Sequence, residues 1–514
     1  MPGLRVTDGT VGIPWDWESR YTPLVVWLLS AAALLLTPLQ IISYGYHPHD
    51  DALRHAAKAV SGKSWDEILV MGPDIEGFHW GWHQLLSWVH HGLGISVDGL
   101  VVFSVLVLFL LFAFLPLLAV RRPEAWILAL ATLGFSSFWR IERLFFGRPF
   151  LTGMVVTLGL LLGYRQFTKK ENNWVAMGLL ALGVAASVWM RSAWYLYLIP
   201  LLAVICCRNW RAVVRIGGAM VVGSVVGALL TGNAHEVLVV SLAHSLKVTG
   251  RGLTASQLVS ELQPGTGYFA LPLIVLGLWV LQVARGKWSW RRLDHPAFYL
   301  MLGAWILSFR MIRFWDDFGV VAGLVLLFRE YQDLLDDSPV KGDAVARMAV
   351  TLIGCGVLFA SYTADAKSRW TWNLSLSYMD ASDEEIAPWL PDDGGILYST
   401  SMSVFYQTFY ANPHAPWRYA LGFEARLMTE ENRDVYHHIK WNNDAYEAYD
   451  PWVEKMRPED RLIIRSGSRS ARPRIEELEW HYVVTGTWSG RLPRGGTAVP
   501  SSAPTGEDGP PHPE

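Results

Sequence analysis

Two adjacent carboxylates, Asp50 and Asp51, close the segment Tyr46-His47-Pro48-His49-Asp50-Asp51, just after an apolar run long enough to cross a bilayer. Acids at a lipid–water boundary cost desolvation energy unless they are paired, wet or bound to metal. A carboxylate placed there can take a proton from an acceptor hydroxyl or hold a divalent cation. With His49 and His47, Asp50 forms a candidate cation set. Two plainer readings stand beside these. Acids at the start of ALRHAAKAV favour a helix N-terminus, and Asp50 with Arg54 four residues on is a surface-pair spacing.

The second signal is a group of arginines. Arg140, Arg143 and Arg148 lie in FWRIERLFFGRPF, Arg191 in VWMRSAW, and Arg310 and Arg313 in SFRMIRFWDDF. Guanidinium binds phosphate bidentately and stays charged at every relevant pH. A phosphate-bearing lipid would give these residues a reason to be there. Internal pairing with Glu142, Asp316 and Asp317, or snorkelling to headgroups, is the alternative. His79 and His83 share a helix face, but HWGWH lacks the glutamate of a zinc protease motif, and interfacial packing accounts for it better. No phosphate-binding glycine loop, dinucleotide fingerprint, nucleophile elbow or kinase signature occurs, so an enzyme of this sequence would need a substrate already activated.

The elements that must position these residues are membrane spans. Of 514 residues, 52% are hydrophobic and only 17% charged, against about a quarter charged in soluble proteins. The apolar runs cover approximately 23–43, 98–120, 124–139, 149–167, 173–190, 193–207, 212–231, 267–284, 295–312, 317–333 and 346–363, about eleven spanning helices. Alternate breaks hold Arg121 and Arg122; Arg165, Lys169 and Lys170; Arg208 and Arg211; Arg285, Lys287, Arg291 and Arg292; and Lys341 and Arg347. All fall on one side, so the positive-inside rule puts the N-terminus in the cytoplasm. The loops 44–97 and 232–266, and everything beyond residue 363, then face outward, and so do the arginines of the second signal. An integral plasma (inner) membrane protein is expected.

Most of the 26 Trp lie near the ends of apolar runs, as interfacial anchors do. EGFHWGWHQLLSWVHHGLG, in the first outer loop, reads as an amphipathic helix along the membrane surface. The three cysteines give neither a disulfide framework nor a zinc spacing, and no basic block suits nucleic acid. The expected organisation is a transmembrane domain over 1–363, a small extracytoplasmic α/β domain over 364–492 and a disordered tail over 493–514. In the α/β domain GGILYST, DRLIIRS and WHYVVTGTW read as strands, and MSVFYQTFY and EENRDVYHHI as helices.

This layout resembles the GT-C superfamily of membrane glycosyltransferases, which use polyprenyl-phosphate-linked sugars. His49-Asp50-Asp51-Ala52-Leu53-Arg54 is similar in placement to the acidic motifs of protein mannosyltransferases, aminoarabinose transferases and the oligosaccharyltransferase catalytic subunit. MIRFWDDFGVVAGLVLL resembles the oligosaccharyltransferase helix whose arginine contacts the donor phosphate, which makes Arg313 its counterpart. Two features of that family are missing: GRPFLTG stands in the region of its second acidic or histidine motif, and no WWD-type acceptor signature appears.

The resemblance implies an inverting transfer of a single sugar to a lipid, glycan or protein acceptor at the outer face. Asp50 or Asp51 would be the catalytic base. Arg148, Arg313, Arg310, Arg191 and Arg143 would bind the donor phosphate, with or without a divalent cation (Mg or Mn) on Asp50, His49 and His47. Two competing readings are a flippase for a lipid-linked substrate, for which the expected sequence repeats are not seen, and a non-catalytic envelope scaffold, which would tolerate substitution of these residues.

Overall fold

The computed structural model describes residues 18–72, 79–136, 138–243, 260–265, 268–338, 340, 343–466, 469 and 471–493. The side chain of Arg140, most of the second outer loop and the expected tail beyond Pro493 lie outside them. The chain divides into two compact units. One holds residues 1–62 and 76–376, the other 63–75 and 377–514. Residues 63–75, expected with the first outer loop, thus belong with the C-terminal unit, and residues 364–376, expected with the α/β domain, belong with the helices.

The first unit is a helical membrane domain, and each expected apolar run carries a helix. Six of its helices are long and apolar enough to cross a bilayer: Tyr21–Ser43, Val97–Leu118, Phe150–Thr168, Trp174–Arg191, Trp210–Leu230 and Ala344–Thr363. Three more, Trp194–Cys206, Ala270–Ala284 and Pro296–Ser308, are apolar but shorter. The runs Pro123–Ser136 and Val320–Asp336 are helical and largely buried. Polar caps punctuate the bundle: Asn173 accepts from the Ala176 amide and Asn209 from the Ala212 amide, at the starts of two spans. Those spans approach each other closely. A Cβ on Gly223 would lie 2.4 Å from the Ala181 carbonyl, and one on Gly227 2.5 Å from that of Ala185. Small residues four apart admit the neighbouring backbone, the usual means by which helices associate in lipid.

The second unit is built on a five-stranded sheet: β1 (Ile396–Ser399), β2 (Arg418–Tyr419), β3 (Arg461–Arg465), β4 (Glu479–Val484) and β5 (Thr487–Arg491), in the order β2-β1-β3-β5-β4. β1 runs parallel to β2 and β3, while β5 is antiparallel to both β3 and β4. The segment expected as one strand, WHYVVTGTW, is a hairpin that turns at Gly486, whose φ of 70° suits glycine. The expected helices are Met402–Ala411 and Glu430–Trp441. Trp452, Tyr449, Leu462 and Ile439 are buried in the core of this unit. Residues 63–72 dock on it as an extra edge. Ser64 and Glu67 form a capping box, the Val70 amide donates to the Tyr419 carbonyl at 2.9 Å, and that of Gly72 to Leu427 at 3.1 Å.

Candidate active site

Asp50 is the N-cap of the Asp51–Ser61 helix, its side chain accepting from the Ala52 amide, and Gly62 ends that helix in the left-handed conformation. The plain reading of the acidic pair is therefore correct as far as it goes. Capping does not use up the two carboxylates. Asp50 accepts from Arg148 at 2.5 Å, and Asp51 from the Nε of Arg54 at 2.7 Å, with Arg148 Nε 3.7 Å away. The helix spacing pairs Arg54 with Asp51 rather than with Asp50.

Arg148 reaches this helix because the preceding Gly147 has a φ of 63° and lies against it. A Cβ on Gly147 would come 3.3 Å from that of Ala52. The same guanidinium donates to Glu261 at 2.5 Å. Glu261 also lies 3.4 Å from Arg143 and 3.8 Å from Arg313. Arg143 in turn bonds Asp317 at 2.6 Å, with Asp316 3.9 Å away, and Arg313 faces Asp317 at 3.4 Å. Asp316 and Asp317 are both buried because Trp315–Gly319 is a π-helical turn, whose wider coil lets two consecutive acids share one side.

Arg191 ends its span with its guanidinium 5.9 Å from the centre of the Phe150 ring, which Arg143 covers at 4.2 Å. It makes no ion pair among the described residues. Arg143 and Asp316 also line a small cavity with Leu133, Ile141, Leu144, Met154 and Val320.

Of the residues expected at the site, Asp50, Asp51, Arg143, Arg148 and Arg313 share one ion-pair network in the first unit, and Arg191 stands at its edge. Arg310 is exposed and joins none of these pairs among the described residues. The expected counter-charges Asp316 and Asp317 are present, so internal pairing is real for Arg143 and Arg313.

Electrostatics follow the geometry. Burial opposes ionisation of Asp51, but Arg54 and Arg148 overcome it and hold its carboxyl well below the ordinary range. Glu261 is half-buried, which opposes its ionisation, yet Arg143, Arg148 and Arg313 lower it to about 2. Burial works against the charge of Arg148, and Asp50, Asp51 and Glu261 more than compensate.

The possible cation set does not gather. The His49 ring packs edge-on to Trp372, 4.5 Å between centres, and the His47 carbonyl accepts from Asn373. The carboxylates are turned to guanidiniums, and among the described residues no three His, Cys, Asp or Glu side chains are arranged to hold a metal ion. Asp50, His49 and His47 thus do not form a set that fits a divalent ion.

Two elements of the site are not evident from the chain. Glu261 lies 113 positions from Arg148 in an outer loop without pattern, and its only signal is an acid in otherwise polar sequence. The other is His55, which joins His79 and His83, the pair read from the sequence as sharing a helix face, in a buried cluster. His55 Nδ1 lies 2.8 Å from His83 Nε2, and the His79 ring is 4.8 Å from that of His55. Burial, with Arg54 nearby, holds all three rings neutral, well below their usual range.

No protein-family model matches the chain, and no curated protein matches it in sequence. Among solved structures it is similar to the oligosaccharyltransferase of Archaeoglobus fulgidus tethered to an acceptor peptide, at 11% identity and a TM-score of 0.48, over 88% of this chain and 70% of that one. It is also similar to the archaeal oligosaccharyltransferase AglB of the same organism in complex with an inhibitory peptide and a dolichol-phosphate, at 11% identity and a TM-score of 0.49, over 87% and 70%. Similarity of this degree transfers neither activity nor substrate.

Proposed function

We propose that this protein is a membrane glycosyltransferase that moves a sugar from a polyprenyl-phosphate donor to a hydroxyl acceptor on the non-cytoplasmic side. The observation that carries this reading is the gathering of Asp50 and Asp51 with Arg148, Glu261, Arg143 and Arg313 in one partly buried ion-pair network.

The two acids divide the work. Asp51 is ionised at any physiological pH and too weak a base to hold a proton well, so it stabilises positive charge that develops on the sugar ring. Asp50 takes the acceptor proton. As the acceptor oxygen bonds to the anomeric carbon, the bond from that carbon to the donor phosphate breaks, and configuration inverts. The electron pair leaves with the phosphate, where Arg313, the most open guanidinium of the network, and Arg191 meet it. Arg143 keeps Asp317 and Glu261 in place behind them.

Asp50→Asn combined with Asp51→Asn, in folded protein purified in lipid, is expected to abolish sugar transfer from a polyprenyl-phosphate sugar. Undiminished transfer would remove the proposal. Arg313→Ala is expected to lower kcat on the order of a hundredfold, as loss of one donor to a developing anion does elsewhere.

A further inference from the structure

Three carboxylates from two distant parts of the chain converge on a single cation, and that cation is a side chain. Arg148 holds Asp50 and Glu261 at 2.5 Å each and approaches Asp51 at 3.7 Å. Acids gathered in this way repel one another and, when buried, need a compensating charge. A divalent ion is a common answer because hard oxygen ligands suit it. Here the compensating charge is covalently part of the protein. Gly147 lets the chain bring Arg148 against the Asp51–Ser61 helix, and Arg54 adds a second positive charge to Asp51.

We infer that Arg148 is a built-in replacement for a divalent cation, so that the acidic site is assembled without metal. The guanidinium neutralises the acids, fixes the orientation of Asp50 for its proton transfer and ties the loop residue Glu261 to the first outer helix. It is thereby a positioning residue, and both of its terminal nitrogens are already engaged before a phosphate arrives. Donor phosphate is left to Arg313 and Arg191. The inference deepens the transferase reading but stands on the ion pairs themselves, and it can be tested without turnover.

The probe is Mn2+, followed by its spin resonance and by thermal unfolding of the full-length protein in lipid. The wild type is expected to take up no stoichiometric Mn2+ and to unfold at the same temperature with Mn2+ or with a chelator. Arg148→Ala exposes the acids to one another. It is expected to unfold at lower temperature, to be stabilised by Mn2+, and to lose that response when Glu261→Gln is added.

Uptake of Mn2+ by the wild type that disappears in Asp50→Asn with Asp51→Asn would overturn the inference. So would an Arg148→Ala protein indifferent to Mn2+. Should Arg148→Ala fail to fold, the wild-type measurement decides alone. Binding of a polyprenyl monophosphate, assayed in parallel, separates the two claims. Failure to bind it sinks the transferase reading, whereas binding abolished by chelator and restored by Mn2+ sinks the internal cation.

Discussion

Arg143 shows what the network costs to break. It is almost fully buried, bonded to Asp317, close to Glu261 and in contact with the Phe150 ring. Removing one partner of such a set leaves an uncompensated charge and typically costs about 3–5 kcal/mol. Arg143→Ala is therefore expected to lower the unfolding temperature in detergent more than Arg310→Ala, whose side chain is exposed. Equal effects would contradict the described pairing.

Protonation acts on the same scale. Glu261 is ionised in the fold down to about 2, below its unfolded value, so its contribution is present above the ordinary carboxylate range and fades as pH falls toward 2. The histidine cluster acts earlier. His55, His79 and His83 are neutral in the fold at pH values where the unfolded chain protonates them, so stability is full above about 6.5 and falls as pH drops below it. Unfolding temperature measured between about pH 8 and 5 should decline, and His55→Gln with His83→Gln should flatten the decline. A slope unchanged by that pair would mean the histidines are not its source.

Individual elements matter here mostly through how close they come. The Trp174–Arg191 span carries Arg191 at its last residue, and it is located by Gly223 and Gly227 of its neighbour. Gly227→Leu would drive a side chain into the Ala185 carbonyl and separate the two helices. It should lower thermal stability by about 2–3 kcal/mol, and transfer activity with it, as overpacking does in other interiors. The Asp51–Ser61 helix is held in a similar way, with Gly147 against Ala52 and the Trp80–Leu93 helix packed beside it through His83. Gly81 on that second helix lies so near Trp189 that a Cβ would come 2.3 Å from the indole. The Trp80–Leu93 helix and the Trp174–Arg191 span are thus in direct contact.

For the whole molecule the question is sidedness. The orientation expected from the sorting of Lys and Arg, with the N-terminus in the cytoplasm, would put Asp50, Asp51, Arg148 and Arg313 outside. The cysteines allow a direct check. Cys206 is exposed at the end of the Trp194–Cys206 helix, two residues before Arg208 and its basic break, whereas Cys207 and Cys355 are partly buried. A membrane-impermeant thiol reagent is expected to label Cys206 in inverted vesicles and not in intact cells, and Cys206→Ser should remove the signal. Labelling from outside would reverse the orientation and with it the side on which a donor could be used.

The chain by itself determined the parts that depend on local pattern. Apolar runs marked the helices of the membrane domain, runs of β-formers marked the strands of the C-terminal unit, and an acid at the start of ALRHAAKAV marked a helix start. It also picked out Asp50, Asp51, Arg143, Arg148 and Arg313, because charge beside lipid is costly and needs a reason. Which charge meets which was decided only by tertiary structure. Ion pairs across 98, 113 and 174 positions depend on how helices pack, and packing turns on features with no pattern of their own, such as Gly147, Gly223 and the π turn at Trp315. Glu261 is the sharpest case. A lone glutamate in a loop is unremarkable along the chain, and becomes the centre of the site only when the fold brings three arginines to it.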